Sequence, residues 1–411
     1  MSFETATLDS LCELVVDCPH STPKWTDEGI IVLRNQNIKN GVLDLSAPSF
    51  TNEEDYQKRI KRAAPKAGDI VFTREAPMGE VCMIPEGLKC CLGQRQVLLR
   101  PKSDVNGQYL FWALQSPYVQ QQIAWNEGTG STVSNVRIPV LKALNIPRIG
   151  NEDMVAKSLS DIASKMALNT QTNQTLEQMA QAIFKSWFVD FDPVKAKMNG
   201  ELPEGMDAAT ASLFPEKLVE SELGLIPDGW EVKPFSEWVK ITKGKNITKK
   251  TIVDGDVPVV AGGLKPAYFH NAHNVDGPAI TISASGANAG YVNLYFENIW
   301  ASDCSYISQS TTPLFFLQYV ALRYNQKKIF DMQTGAAQPH IYPRDFERLM
   351  IVVPNEELCR KLEEVFASFF RTVANNKQQN INLAALRDTL LPKLLSGEIE
   401  LGQAQELAEV E

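Results

Sequence analysis

Four histidines and seven cysteines are the chain's stock of soft ligands, and one grouping has a spacing that invites chemistry. His270-Asn-Ala-His273, with His340 further along, offers three imidazoles of the kind a metal-assisted hydrolase uses to activate water. In a β-rich region such histidines are more often hydrogen-bonded in place, so no metal is expected. Other catalytic signatures are missing: no G-x-G-x-x-G, no G-x-x-x-x-G-K-[ST], no H-E-x-x-H and no C-x-x-C. Lys243-Gly-Lys-Asn-Ile-Thr248 has phosphate-loop residue types without the glycine spacing. There is no G-x-S-x-G either, and Ser283-Ala-Ser285-Gly286-Ala287 reads as a small-residue turn that lets backbones approach closely. A methyltransferase acting on exocyclic amines needs an Asn/Asp-Pro-Pro-aromatic loop. Asp192-Pro193-Val194 lacks the second proline and the aromatic. The sequence reads as catalytically empty.

Side chains suited to nucleic acid are better supplied. Lys and Arg neutralise phosphates, while Asn, Gln and Arg pair with adenine and guanine edges. In the first 150 residues the candidates are Lys24, Arg34, Asn35, Lys58, Arg59, Lys61, Arg62, Arg74 and Arg95. In the second half they are Lys243, Lys245, Asn246, Lys249, Lys250, Lys265, His270, His273, Lys327, Gln338 and His340. Solvated surface charge is the default for any one of them; their clustering in corresponding halves lifts the set.

A net charge of −9 argues superficially against a polyanionic partner. The acidity, however, is concentrated. Residues 1–150 hold 16 basic and 16 acidic side chains and residues 231–354 hold 12 and 10, whereas 189–230 hold 3 and 9 and 355–411 hold 6 and 10. The two large blocks are therefore neutral or slightly basic. At 411 residues the chain exceeds what one core usually organises, and 44% apolar residues suit globular domains. No apolar run approaches the roughly 18 residues that span a bilayer. Met-Ser-Phe-Glu-Thr at the start has no secretory character, and an odd cysteine count points to reduced thiols. A cytoplasmic protein is expected.

What positions these loops is a repeat. Lys66-Ala-Gly-Asp-Ile-Val-Phe-Thr73 and Gly277-Pro-Ala-Ile-Thr-Ile-Ser283 each read as a strand leading into a small-residue turn and another strand. Helical stretches follow at Tyr109 to Trp125 and Leu314 to Phe330, then glycine turns at Gly128-Thr-Gly-Ser-Thr132 and Thr334-Gly-Ala-Ala337. Both halves reach a proline, Pro147 or Pro354, and a long helix with an acidic first turn.

Those helices carry heptad seams. In the first, the seam is Val155, Leu159, Ile162, Met166, Asn169, Asn173, Leu176, Ala180, Ile183 and Trp187. In the second it is Leu358, Leu362, Val365, Phe369, Thr372, Asn376, Gln379, Leu383, Leu386, Leu390 and Lys393. Both are apolar at the ends and polar in the middle, so mutual pairing would bring the asparagines together and fix register. A two-fold relation between the halves makes that pairing antiparallel and the helices a spacer. The fold expected is α+β, two β-rich domains joined by two long antiparallel coiled-coil helices in a pseudo-two-fold internal repeat. Its parts are a first domain at 1–150, a spacer helix at 151–188, a proline-rich connection at 189–229, a second domain at 230–354, a spacer helix at 355–396 and an acidic tail at 397–411.

The sequence resembles the specificity subunits of type I restriction-modification systems. The resemblance is carried by Gly68-Asp-Ile-Val-Phe72 with Gly93-Gln-Arg95, by Asn173-Gln-Thr-Leu176 running into Ser186-Trp-Phe-Val-Asp-Phe-Asp-Pro193, by Gly224-Leu-Ile-Pro-Asp-Gly-Trp230 and by Leu386-Arg-Asp-Thr-Leu-Leu-Pro-Lys-Leu-Leu-Ser-Gly397. It implies two target-recognition domains, each reading one half of an interrupted double-stranded DNA site. The helix pair would set the gap and dock two modification (methyltransferase) subunits, with restriction (endonuclease/translocase) subunits joining them. S-adenosylmethionine and adenine-N6 methylation would belong to the modification subunits and not to this chain. Two alternatives stay open: a metal-assisted hydrolase on His270, His273 and His340, and a coiled-coil scaffold whose heads bind only protein.

Overall fold

In a computed structural model, residues 4–125, 135–335 and 338–399 are described. The glycine turn at 128–132, part of the one at 334–337 and nearly all of the acidic tail lie outside them. Two compact units emerge: residues 1–168 with 379–411, and residues 169–378.

The first unit is built on two sheets. One runs in the order Cys12–Asp17, Gln96–Pro101, Ile70–Thr73, Val81–Met83, all antiparallel. The other sets Cys90–Leu92 parallel to Ile30–Leu33, followed by Phe50–Thr51 and Trp25–Thr26. The second unit repeats the plan. Thr242–Lys243, Cys304–Ser308, Ala279–Ser283 and Val292–Tyr295 form the antiparallel sheet. Trp300–Ala301 lies parallel to Val257–Val260, with Tyr268–His270 beyond. A further strand pair closes each copy, Glu4–Thr7 with Asn145–Arg148 and Glu231–Pro234 with Met350–Val353. Two parallel pairings in matching places within otherwise antiparallel units are a strong mark of duplication. The central strands Ile70–Thr73 and Ala279–Ser283 are buried throughout, Thr73, Thr281 and Ser283 included, so neither strand has a solvent face.

Each helical stretch foreseen as continuous is broken in two: Gly107–Leu114 and Pro117–Trp125, and Phe315–Tyr324 and Gln326–Asp331. At the first break Ser116 starts the next turn with its own cap. Its hydroxyl donates to the Ala113 carbonyl at 2.6 Å and accepts from the Val119 N–H at 3.3 Å.

The long helices are Glu152–Phe188 and Glu356–Leu395, 37 and 40 residues. In the first unit Val155, Ala156 and Leu159 share a core with Leu391, Leu394 and Leu395. In the second, Ala180, Phe184 and Phe188 share one with Leu358, Leu362 and Phe366. The beginning of each helix thus lies with the end of the other, an antiparallel pair. Polar side chains occupy the middle. Asn376 donates through Nδ2 to Asn173 Oδ1 at 2.9 Å, Asn169 and Asn173 are buried, and Asn380 donates to the Met166 carbonyl at 3.1 Å.

The second helix departs from its expected seam. Thr372 and Gln379 are exposed, as is Leu386 at 46%, and Val365 and Phe369 are only half-buried. The inward line instead runs through Leu362, Phe366, Phe370, Val373, Asn376, Asn380, Leu383 and Leu391. The two lines coincide at Leu362, Asn376 and Leu383, so the departure is local: at Val365, Phe369, Thr372 and Gln379 the next residue along, Phe366, Phe370, Val373 or Asn380, takes the inward position.

The connection at 189–229 is more ordered than its prolines suggest. It folds into helices Asp192–Met198 and Ala208–Ser212 and the hairpin Leu218–Ser221/Gly224–Pro227. Phe191, Val194, Phe214 and Ile226 sink into the second unit's core, where Trp230 meets the Phe188, Phe191 and Phe214 rings. All seven cysteines are free and buried, and burial pushes the Cys82 and Cys304 thiols up to about 12. No helix among the described residues is long and apolar enough to cross a membrane.

Contacts from the long helices seat the shorter ones. Trp112 donates through Nε1 to Ser160 Oγ at 3.0 Å in the first unit. In the second, Glu363 accepts from the backbone N–H groups of Phe316 and Leu317 at 3.2 and 2.8 Å, capping a helix that has no side-chain cap of its own. Phe370 stacks on Phe316 with ring centroids 5.4 Å apart.

Two predictions follow from this packing. Asn376→Ala leaves buried Asn173 Oδ1 without its donor and should cost about 1–3 kcal/mol in chemical denaturation, whereas replacing both asparagines by leucine should be near neutral or stabilising. Burial raises the Glu363 pKa above the ordinary glutamate value. The fold therefore favours the protonated form, and that contribution is lost as pH rises through the raised value. The stability of the wild type relative to Glu363→Gln should fall as pH rises above the ordinary glutamate range; a constant difference would contradict the assignment.

Candidate nucleic-acid interface

In the first unit, loops at one end of the paired sheets surround a hollow of about 350 Å³ lined by Pro23, Trp25, Arg34, Asn35, Gln36, Ala76, Gly93, Gln94 and Arg95. Strand Ile30–Leu33 delivers Arg34, and the Gly93 N–H donates to the Leu33 carbonyl at 2.8 Å. A Cβ on Gly93 would stand 2.5 Å from that oxygen, so only glycine permits the approach. The Arg34 guanidinium carbon lies 5.4 Å from the centroid of Trp25, a ring 48% exposed. A second hollow of about 410 Å³ adjoins the same two side chains. Arg95 Nε is 3.2 Å from Glu75 Oε2; the other Glu75 oxygen accepts from Asn135 Nδ2 at 2.8 Å, and Asn35 donates to the Glu75 carbonyl oxygen.

Not every arginine foreseen as a contact faces outward. The side chain of Arg59 is only 1% exposed, and its guanidinium donates to Asp55, to the Leu92 carbonyl at 3.2 Å and to the Ser21 carbonyl at 2.6 Å. Arg74, 11% exposed, holds both Asp17 oxygens and the Val136 carbonyl. Both are internal braces, and their place among the nucleic-acid candidates is corrected. Lys58, Lys61 and Arg62 are exposed, with Lys58 paired to Glu54 at 2.6 Å; Lys24 is exposed close to Trp25 in the chain.

In the second unit, Lys243 Nζ and the Arg344 guanidinium lie 5.4 and 5.9 Å from the Tyr342 ring, and His340 packs on it at 5.1 Å. Trp300 Nε1 donates to the Lys245 carbonyl at 2.9 Å. Asn246, Lys249, Lys250, Lys265, Lys327 and Gln338 are exposed. The imidazoles are dispersed among separate partners. His270 is 6% exposed, with Nδ1 at 3.1 Å from the Val253 backbone and its ring edge-on to Trp300. Burial corrects its reading as a contact residue. His273 pairs with Asp276 at 3.0 Å and His340 with Thr334 at 2.9 Å. Among the described residues no group of three His, Cys, Asp or Glu is placed to hold a metal ion. His270, His273 and His340 thus each have a local partner of their own and are not brought together.

Sequence reasoning missed Trp25, Glu75, Asn135, Tyr342 and Arg344 as parts of these surfaces. An exposed tryptophan beside a lysine was a usable signal. The Glu75 pairing was not, because Asn135 stands 60 residues away.

The chain matches the family description "Type I restriction modification DNA specificity domain" over residues 2–178 and 227–385. It is 27% identical to the type I restriction enzyme HindI specificity subunit of Haemophilus influenzae, over 85% of this chain and 90% of that one. Identity to the MjaIX specificity subunit of Methanocaldococcus jannaschii is 26%, over 83% and 79%. Among solved structures, the S subunit of a type I restriction-modification system from M. genitalium shares the fold, with a TM-score of 0.57 at 18% identity and 96% coverage of both chains.

The two classes of cation should separate experimentally. Arg59→Ala or Arg74→Ala strands a partly buried carboxylate and the backbone carbonyls beside it and should cost about 1–3 kcal/mol in thermal or chemical unfolding. Lys249→Ala, Lys250→Ala and Lys265→Ala should each change stability by less than about 0.5 kcal/mol.

Proposed function

The chain belongs to the type I restriction-modification DNA specificity family, and on that footing we propose that it is the non-catalytic subunit that reads double-stranded DNA for such a complex. Each unit reads one half of a bipartite, interrupted site. Partner modification subunits, two per complex, bind S-adenosylmethionine and methylate adenine at N6, and restriction subunits complete the nuclease. The observation that carries the reading is the duplicated unit. The same two-sheet plan is built twice, and each copy presents exposed cations beside an aromatic ring, Arg34 with Trp25 and Lys243 with Tyr342. Such groups suit a phosphate backbone and base edges. The near balance of charge in both units favours a complex in which partner subunits supply part of the phosphate contact.

The test is to co-express the chain with its modification partner and map methylated adenines across a genome. An interrupted motif that depends on this chain is expected. A contiguous motif, or methylation that persists without the chain, would overturn the reading. A protein-only scaffold would also show no salt-dependent shift of a DNA duplex, whereas phosphate neutralisation makes DNA affinity fall steeply with ionic strength.

Both long helices are unbroken elements with a share in each unit. Inserting seven residues in each, at the polar middle, should lengthen the gap in the motif and leave both half-sites unchanged. Unchanged spacing would refute the helices as the measure of the gap.

A further inference from the structure

The hollow of the first unit holds an arginine in an unusual state. Arg95 adopts φ +67°, a left-handed conformation that side-chain-bearing residues rarely take. The neighbouring Gln94 and Gln96 do not call for it locally. The surroundings impose it: the Arg74 N–H donates to the Arg95 carbonyl at 2.8 Å, and Gln96 Oε1 accepts from the Gly93 N–H at 3.1 Å. Non-glycine residues persist in such conformations where the structure over-determines them, often at ligand clamps.

The side chain is preset as well. Glu75 takes the Nε edge of the guanidinium and is itself steadied by Asn135. The approach to Glu75 is through Nε at 3.2 Å, no other carboxylate pairs with the guanidinium among the described residues, and the side chain is 54% exposed at the hollow. Arg34 lines the same hollow, held on Trp25, with no carboxylate partner among the described residues. The nearby carboxylate is committed to Arg95, so the hollow keeps excess positive charge and presents only donors from its two guanidiniums. A planar group with two adjacent acceptors suits that arrangement. Guanine offers O6 and N7 in the major groove, whereas adenine sets a donor beside its N7, which an arginine cannot accept.

We infer that Arg95 is the base-reading residue of the first unit, directed at the O6 and N7 acceptors of a guanine in duplex DNA, with Arg34 on Trp25 closing the other side of the hollow. This rests on the DNA-recognition function proposed above and assigns it to an atom pair.

The experiment uses the full-length chain in complex with its modification partner and duplexes of its own motif. Each guanine in turn is replaced by 7-deazaguanine, which removes N7 alone. For the wild type, substitution at one guanine of one half-site should weaken binding roughly five- to 150-fold. Arg95→Gly keeps a residue at ease with positive φ, and its complex should bind the modified and unmodified duplexes equally. Equal sensitivity in the wild type and Arg95→Gly, or a wild type indifferent to every such substitution while still selecting its motif, overturns this assignment alone. A wild-type complex with no sequence preference overturns the recognition function and this assignment with it.

Discussion

An amide buried between two helices has two donors and two acceptors to satisfy, and that requirement governs how this chain is put together. With Asn376 donating to Asn173 inside the helix pair, a slide of either helix by one residue breaks the bond and leaves buried Asn173 without this donor. Leucines in their place would pack at many registers. The polar pair adds little net stability over apolar packing; what it contributes is a penalty on every other alignment. Antiparallel direction comes from elsewhere, from apolar ends that each share a core with a different globular sheet system.

The long helices do more than lie against one another. Glu363 reaches out of one to cap a short helix of the second unit, and Trp112 reaches from a short helix of the first unit onto Ser160 of the other. A carboxylate held in so enclosed a place loses hydration, which is why its pKa rises despite two N–H donors. Within each unit, then, a short helix is fastened to a long one by a side-chain contact.

Arginine serves two ends in the first unit. Arg59 and Arg74 reach carbonyls and carboxylates that the fold has already dehydrated, and their five donors satisfy several buried oxygens at once. Arg34 and Arg95 meet an aromatic face and a single carboxylate and keep donors open to solvent. The difference lies in what stands opposite, since the side chain is the same in all four. The exposed pair are the ones with donors to offer to a ligand.

Much of this was legible before any coordinates. The repeat, the two long helices and their polar middles follow from periodicity, because burial of one face imposes a spacing that no loop would keep. The odd cysteine count agrees with seven free, buried thiols. Three things were decided only by the tertiary structure. Which residues of helix Glu356–Leu395 face inward depends on what packs against each turn, and that left Leu386 facing outward. The order of the 189–229 connection depends on a core that its aromatics find at a distance in sequence. Which cations face solvent depends on acceptors dozens of residues away, such as Asp17 for Arg74 and Leu92 for Arg59. Local spacing is written in the chain, but a partner across the fold is not, because bringing them together is a property of the packed whole.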